Sequence, residues 1–171
     1  AETGLGVSEL EDIRYVGTSG SQFGYRMVAV TADNQHYLIV TAPNQSSSTL
    51  NHYEGAVHIY DLLDDATSAP MLTITGANDF SHLGVELTLC GDLDGDSIND
   101  WLVSEQDGNV PLAGKVWVGL SSLWLESQDT SQISITFVKN VLIENDCGYD
   151  LDVKQTNDGG YIIAGCNDGN A

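Results

Sequence analysis

Basic residues are nearly missing from this chain: Arg14, Arg26, Lys115, Lys139 and Lys154 face 25 acids across 171 residues, a formal net charge of −20. So acidic a surface repels phosphate backbones, which argues against nucleic acid as a partner. It suits a protein that works in salt and divalent cations outside the cell, and it also favours solubility. Long apolar runs are missing too. None approaches the roughly 20 residues that a spanning helix needs, so no membrane insertion is expected. Three cysteines, Cys90, Cys147 and Cys166, are too few for a disulfide scaffold. Only three prolines stand beside 18 glycines and 42% hydrophobic residues, which reads as a folded, loop-rich chain and not as a disordered acidic tail. There is no initiator Met and no signal peptide; a start at Ala1 fits either a mature terminus left by signal cleavage or an artificial boundary.

Catalytic patterns are equally sparse. His36, His52, His58 and His82 are scattered over turns and strands, no Ser-His-Asp or Cys-His order stands out, and G-x-S-x-G is absent. Acids abound, yet nothing singles out two of them as a glycosidase pair. The expectation is a protein that is not an enzyme.

What is present is β-forming sequence. FGYRMVAV, HYLIVTA, GAVHIYDL, MLTITG, GVELTLC, WLVSE, GKVWVGL, QISITFV, YDLDVKQT and GYIIAGC are short segments rich in Val, Ile, Leu and Thr, parted by Gly, Asn, Asp and Ser clusters. They predict strands, and no amphipathic helix is expected: the chain reads as all-β. The strands recur in order. Phe23-Gly24, Leu83-Gly84 and Cys147-Gly148 each precede one; an aromatic followed by aliphatics opens the next, from Tyr37, Trp101 and Tyr161; a Gly-led alternating strand follows from Gly55 and Gly114. Four strands in about 60 residues is the spacing of propeller blades.

The middle unit differs from its neighbours. Thirteen positions separate Gly24 from Tyr37 and Gly148 from Tyr161, but 17 separate Gly84 from Trp101, so four extra residues are expected there. They fall in GDLDGDSINDW, where Asp92, Asp94, Asp96 and Asp100 occupy positions one, three, five and nine, with the Ile98 carbonyl available at position seven. Alternating hard oxygen donors with a backbone carbonyl before the last acid are the logic of a calcium loop. Four crowded carboxylates repel one another until a divalent cation joins them. Magnesium keeps its waters, and no His or Cys is placed for zinc. Gly95 permits the bend between ligands, whereas Ser97 stands where a second glycine would relax the backbone.

The order SQFGYRMVAV, YLIVTAPN, GAVHIYDL, then SHLGVELTLC, GDLDGDSINDWLVSEQ, GKVWVGL resembles the FG-GAP repeat of integrin α-subunit propellers and their bacterial relatives. The third unit, CGYDLDVKQTNDGGYIIAGC, also resembles the T-x-D-G-G-Y-I-x-A-G propeller repeats of bacterial surface proteins. Together they cover nearly the whole chain. Three departures stand out: Leu83 replaces Phe, Ser104-Glu105-Gln106 replaces the usual GAP, and the first unit has no acidic loop. The resemblance implies a calcium-braced extracellular or cell-surface propeller, often adhesive, with Ca²⁺ at Asp92, Asp94, Asp96, Asp100 and Ile98. The expected fold is therefore four-stranded antiparallel blades of a β-propeller, about two and a half to three of them, in a ring that one chain does not close. Residues 1–17 would supply a spare outer strand (LEDIRYVG), 18–76 the first blade, 77–143 the second with the calcium loop, and 144–171 a partial third.

Such an object exposes sheet edges. Either copies join head to tail by strand addition into a ring or filament, or the chain is a fragment of a larger surface propeller with a protein or glycan ligand. Several smaller expectations accompany this reading. A bridge between Cys147 and Cys166, flanking the last hairpin, is feasible, with Cys90 a buried free thiol. Trp101 belongs to the core; Trp117 faces outward or packs between blades. Trp124 lies in a loop, either packed beneath it or offered to a partner. Asn44-Gln45-Ser46 is a glycosylation sequon.

Overall fold

The computed structural model describes residues 14–32, 34–47, 52–62, 69–106, 114–126, 136–137, 152–155 and 161–164. Its architecture is all-β. β1 (Met27–Ala32), β2 (Gln35–Ala42), β3 (Ala56–Asp61) and β4 (Leu72–Thr75) form one antiparallel sheet in sequence order. β5 (Leu87–Gly91), β6 (Asp100–Gln106), β7 (Gly114–Gly119) and the two-residue β8 (Thr136–Phe137) form a second sheet of the same order. β9 (Asp152–Gln155) pairs with β10 (Tyr161–Ala164) as a separate hairpin. Each of these ten strands overlaps one of the ten segments read from sequence, and the described strands close no ring. The region expected to form a spare outer strand shows none over residues 14–17; residues 1–13 lie outside the described ones.

The two sheets are copies of one local design. Gly20, Gln22 and Gly24 have φ of 81°, 56° and 87°, and Phe80, His82 and Gly84, each exactly one repeat later, have 59°, 44° and 102°. The Gly24 N–H donates to the Thr41 carbonyl as the Gly84 N–H donates to that of Ser104. The Arg26 N–H reaches the Thr41 hydroxyl as the Glu86 N–H reaches the Ser104 hydroxyl. With no Cβ, glycine takes this left-handed backbone without strain, which is why it recurs at both positions. At Gly84 a Cβ would also come within 2.7 Å of the Thr41 side chain, so the second unit sits directly on the first.

The ladder corrects one sequence expectation. Tyr37 pairs with Val30 in the first sheet, and Asp100 pairs with Gly91 in the second, after a register shift at Cys90. Tyr37 therefore matches Asp100, and Trp101 matches Leu38. The insertion is three residues, not four, because the aromatic of the second unit stands one position further along its strand: Leu87 pairs with Val103 as Met27 pairs with Val40, ahead of the shift at Cys90.

That one-residue offset decides how the sheets pack. Because side chains alternate, Tyr37, Ile39, Val57 and Ile59 lie on one face of the first sheet. They share one buried core with Leu87, Trp101 and Val103 from the other kind of face on the second. Leu102 and Val118, which match Ile39 and Ile59, point away and cluster with Cys90. The stack is front to back, so an identical next unit would meet the same surface again. On the outer face of the first sheet, Tyr15 lies 4.2 Å from Tyr60 and Phe23 lies 5.6 Å from His58, centroid to centroid. Trp101 is fully buried as expected, and burial of so large an apolar side chain contributes about 3 kcal/mol. Trp117 is partly buried against the shared core and donates from its indole N–H to Glu105.

A helix was not expected, yet α1 (Ser121–Glu126) follows β7. Trp124 is in this helix and not in a loop. It is buried at 1% exposure, its ring 5.1 Å from that of Tyr37 and nearly perpendicular to it, so it packs beneath the surface instead of facing a partner. Six residues are too few for a helical periodicity to show in sequence. Among the described residues no helix is long and apolar enough to cross a membrane. Cys147 and Cys166 lie outside the described residues.

Candidate metal centre

The loop between β5 and β6 is wound around its own aspartates. Gly91 (φ 78°) and Gly95 (φ 86°) turn the chain without steric cost. Ser97 adopts φ 70°, the conformation for which glycine would be the relaxed choice, and a side chain there costs about 1 kcal/mol. Backbone N–H groups then point inward. Asp92 accepts from Gly95 (2.6 Å), Asp96 (3.1 Å) and Ser97 (2.8 Å). Asp96 accepts from the Ile98 N–H at 2.8 Å. Asp100 accepts from the Leu93 N–H at 2.7 Å, tying the last acid of the loop to its second residue.

A second wall comes from α1. The Ser121 N–H donates to Asp100 Oδ1 at 2.7 Å, and its hydroxyl lies 3.0 Å from that oxygen and 2.7 Å from Asp96 Oδ2. The Ser122 hydroxyl donates to Asp94. Nothing in sequence marked these serines, which stand 21 to 28 positions from their partners.

Of the expected ligands, the structure gathers Asp92, Asp94 and Asp100, which each present an oxygen within 4.8 Å of the other two. Calcium–oxygen distances are about 2.3–2.6 Å, so two ligands on one ion lie at most about 5 Å apart. The three carboxylates fit that limit. Asp96 is outside this group, its oxygens turned to Ile98 and Ser121. The Ile98 side chain packs against the main core, which fixes the backbone at position seven.

Charge at the site is divided. Asp94 is held below the usual carboxylate range, first by the Ser122 hydroxyl and then, against some desolvation, by the Asp96 amide. Asp100 is pushed up, first by burial and further by the Asp94 charge, although Ser121 and Leu93 donate to it. Asp100 is fully buried at the floor of the loop. A buried carboxylate beside a second one is a group that a cation stabilises.

Elsewhere the histidines are engaged singly: His36 with Thr31, His52 with Asp79, His58 with Thr73 and Gln45, His82 with Asn44 and the Pro43 carbonyl. Glu105, in the stretch that departs from GAP, is buried and accepts from the Ala77 N–H and the Trp117 indole, linking the second sheet to the chain that leaves the first. No protein-family model matches the chain.

Proposed function

We propose that this chain is a non-enzymatic, extracellular β-propeller-repeat protein of the FG-GAP kind, in which one calcium ion braces the Asp92–Asp100 loop of the second blade. The observation that carries the reading is the convergence of Asp92, Asp94 and Asp100 within 4.8 Å. Asp96 and the Ile98 carbonyl complete the donor set as the loop closes on the ion. Bound calcium would supply charge neutralisation and rigidity, with no chemistry on a substrate. Affinity would be in the weak extracellular range, about 10⁻⁴ to 10⁻³ M, since strain at Ser97 subtracts from it.

The role is structural or adhesive, through head-to-tail self-assembly into a ring or filament. Front-to-back stacking supports this, because a stack whose two end faces differ accepts a further unit without a new kind of contact. The test is particle mass by light scattering, with negative-stain images, in calcium and in excess chelator. Large rings or fibres in calcium are expected, and a steady 18.3 kDa particle in both buffers would overturn self-assembly.

A second reading, a piece of a larger surface propeller that binds a protein or glycan, is favoured by Phe80. Its side chain is 50% exposed, and its backbone is left-handed where the first unit has Gly20. It follows directly on Asp79, which with Ser47, Glu54 and Asn78 lines a polar cavity of about 390 Å³. Glycan-array binding that is lost in Phe80→Gly, by a monomeric chain, would favour this reading.

A further inference from the structure

We propose that Ser121 and Ser122 are positioning residues of the calcium site and that, through Trp124, they carry its occupancy to the contact between the two sheets; the proposal rests on the calcium reading above. α1 is only six residues long, too short to be held by its own hydrogen bonds. It is fixed at two points. Its first two residues bind three of the four loop aspartates: Ser122 holds Asp94, and Ser121 holds Asp96 and Asp100. Ser121 is fully buried, so water cannot replace those bonds. Its fourth residue, Trp124, is buried in the core shared by the sheets and meets Tyr37 edge to face at 5.1 Å. Tyr37 belongs to β2, in the sheet that does not carry the loop.

The chemistry couples these ends. A carboxylate has two oxygens and about four acceptor directions, so the hydrogen bonds from Ser121 and Ser122 leave room for an ion. Ser122 and Ser121 thereby orient Asp94 and Asp100, two of the three converged carboxylates, toward a common centre, as outer hydrogen-bond partners orient metal ligands generally. Without the cation the aspartates repel one another and draw apart, and the serines bound to them move too. Occupancy is then felt at Trp124, and the Trp124–Tyr37 contact tightens when calcium binds.

The test is a calcium titration of the full chain with two readouts, calorimetric uptake and tryptophan emission. The parent should show an emission change with the midpoint of uptake. Trp124→Phe should bind calcium with nearly parent affinity and lose most of that change. Ser121→Ala and Ser122→Ala should weaken binding by roughly tenfold or more, and Ser122→Thr should restore it. Ser122 is only half-buried, so its variant reports even if the Ser121 variant fails to fold. Calcium uptake by the parent, with unchanged affinity in Ser122→Ala or an undiminished emission change in Trp124→Phe, overturns the coupling and leaves the calcium reading standing. No uptake by the parent overturns both.

Discussion

Arg26 and Glu86 hold the same place in successive units, each two residues after the glycine of its unit, and they grip each other. Arg26 Nε lies 3.0 and 3.2 Å from the two Glu86 oxygens, and Nη2 lies 3.1 Å from the second. A repeat position that serves one purpose in the backbone has thus been given opposite charges, and the pair spans the join between units.

The Arg26 side chain is 42% exposed and that of Glu86 only 13%, so the pair is worth about 1 kcal/mol after solvent screening. Arg26→Ala and Glu86→Ala should each destabilise to about that extent, and a double-mutant cycle in urea should give a coupling energy of similar size. Additive effects of the two substitutions would remove the pair from the account of how the sheets join.

Packing within the second sheet, where Gly119 pairs with Trp101, is tighter still. A Cβ added to Gly119 would lie 2.0 Å from the Trp101 ring, which is fully buried and cannot swing aside. Gly119→Ala should cost about 1–3 kcal/mol in denaturant unfolding. Unchanged stability would mean that Trp101 is free to repack.

Burial lowers the His58 pKa below its ordinary 6.5. With Nε2 donating to the Gln45 oxygen at 2.8 Å and Nδ1 accepting from Thr73 at 3.0 Å, the neutral ring satisfies both neighbours. The unfolded chain takes up a proton near pH 6.5 that the folded chain resists. Stability therefore falls as pH drops below that value, down to the folded pKa. His58→Gln should flatten this part of the stability profile relative to the parent, and an identical slope in both would contradict the assignment.

Burial, with the Asp100 charge adding to it, pushes the Cys90 thiol up to about 12. At neutral pH it should resist alkylation in the native protein and react once unfolded, as read by peptide mass mapping. Rapid native labelling of the Cys90 peptide would show that the far face of the second sheet opens readily.

Much of this molecule is legible in its sequence, for reasons that differ by element. Val57-His58-Ile59-Tyr60 and Val116-Trp117-Val118 announce strands because alternation is a local property. Asp92, Asp94 and Asp100 announce a cluster because a tight loop brings alternate side chains together. The register of Trp101 was not legible, since its equivalence to Leu38 and not to Tyr37 shows only in the pairing with the preceding strand. Nor were α1 and its serines, whose fold is set by Asp94, Asp96 and Asp100 on one side and Tyr37 on the other. Arg26 and Glu86 stand 60 positions apart, and only the stacking of the sheets brings them together.

The most direct measurement of the central claim is thermal unfolding in about 10 mM calcium and in excess chelator, for the parent and Asp94→Asn. With a dissociation constant near 1 mM, calcium adds about 1.4 kcal/mol to the folded state, which for a chain of this size raises Tm by about 3–6 °C. That rise is expected in the parent, little of it with magnesium, and none in Asp94→Asn, which keeps the shape of the side chain but not its charge. Equal Tm in calcium and chelator for the parent, or an undiminished rise in Asp94→Asn, would contradict it.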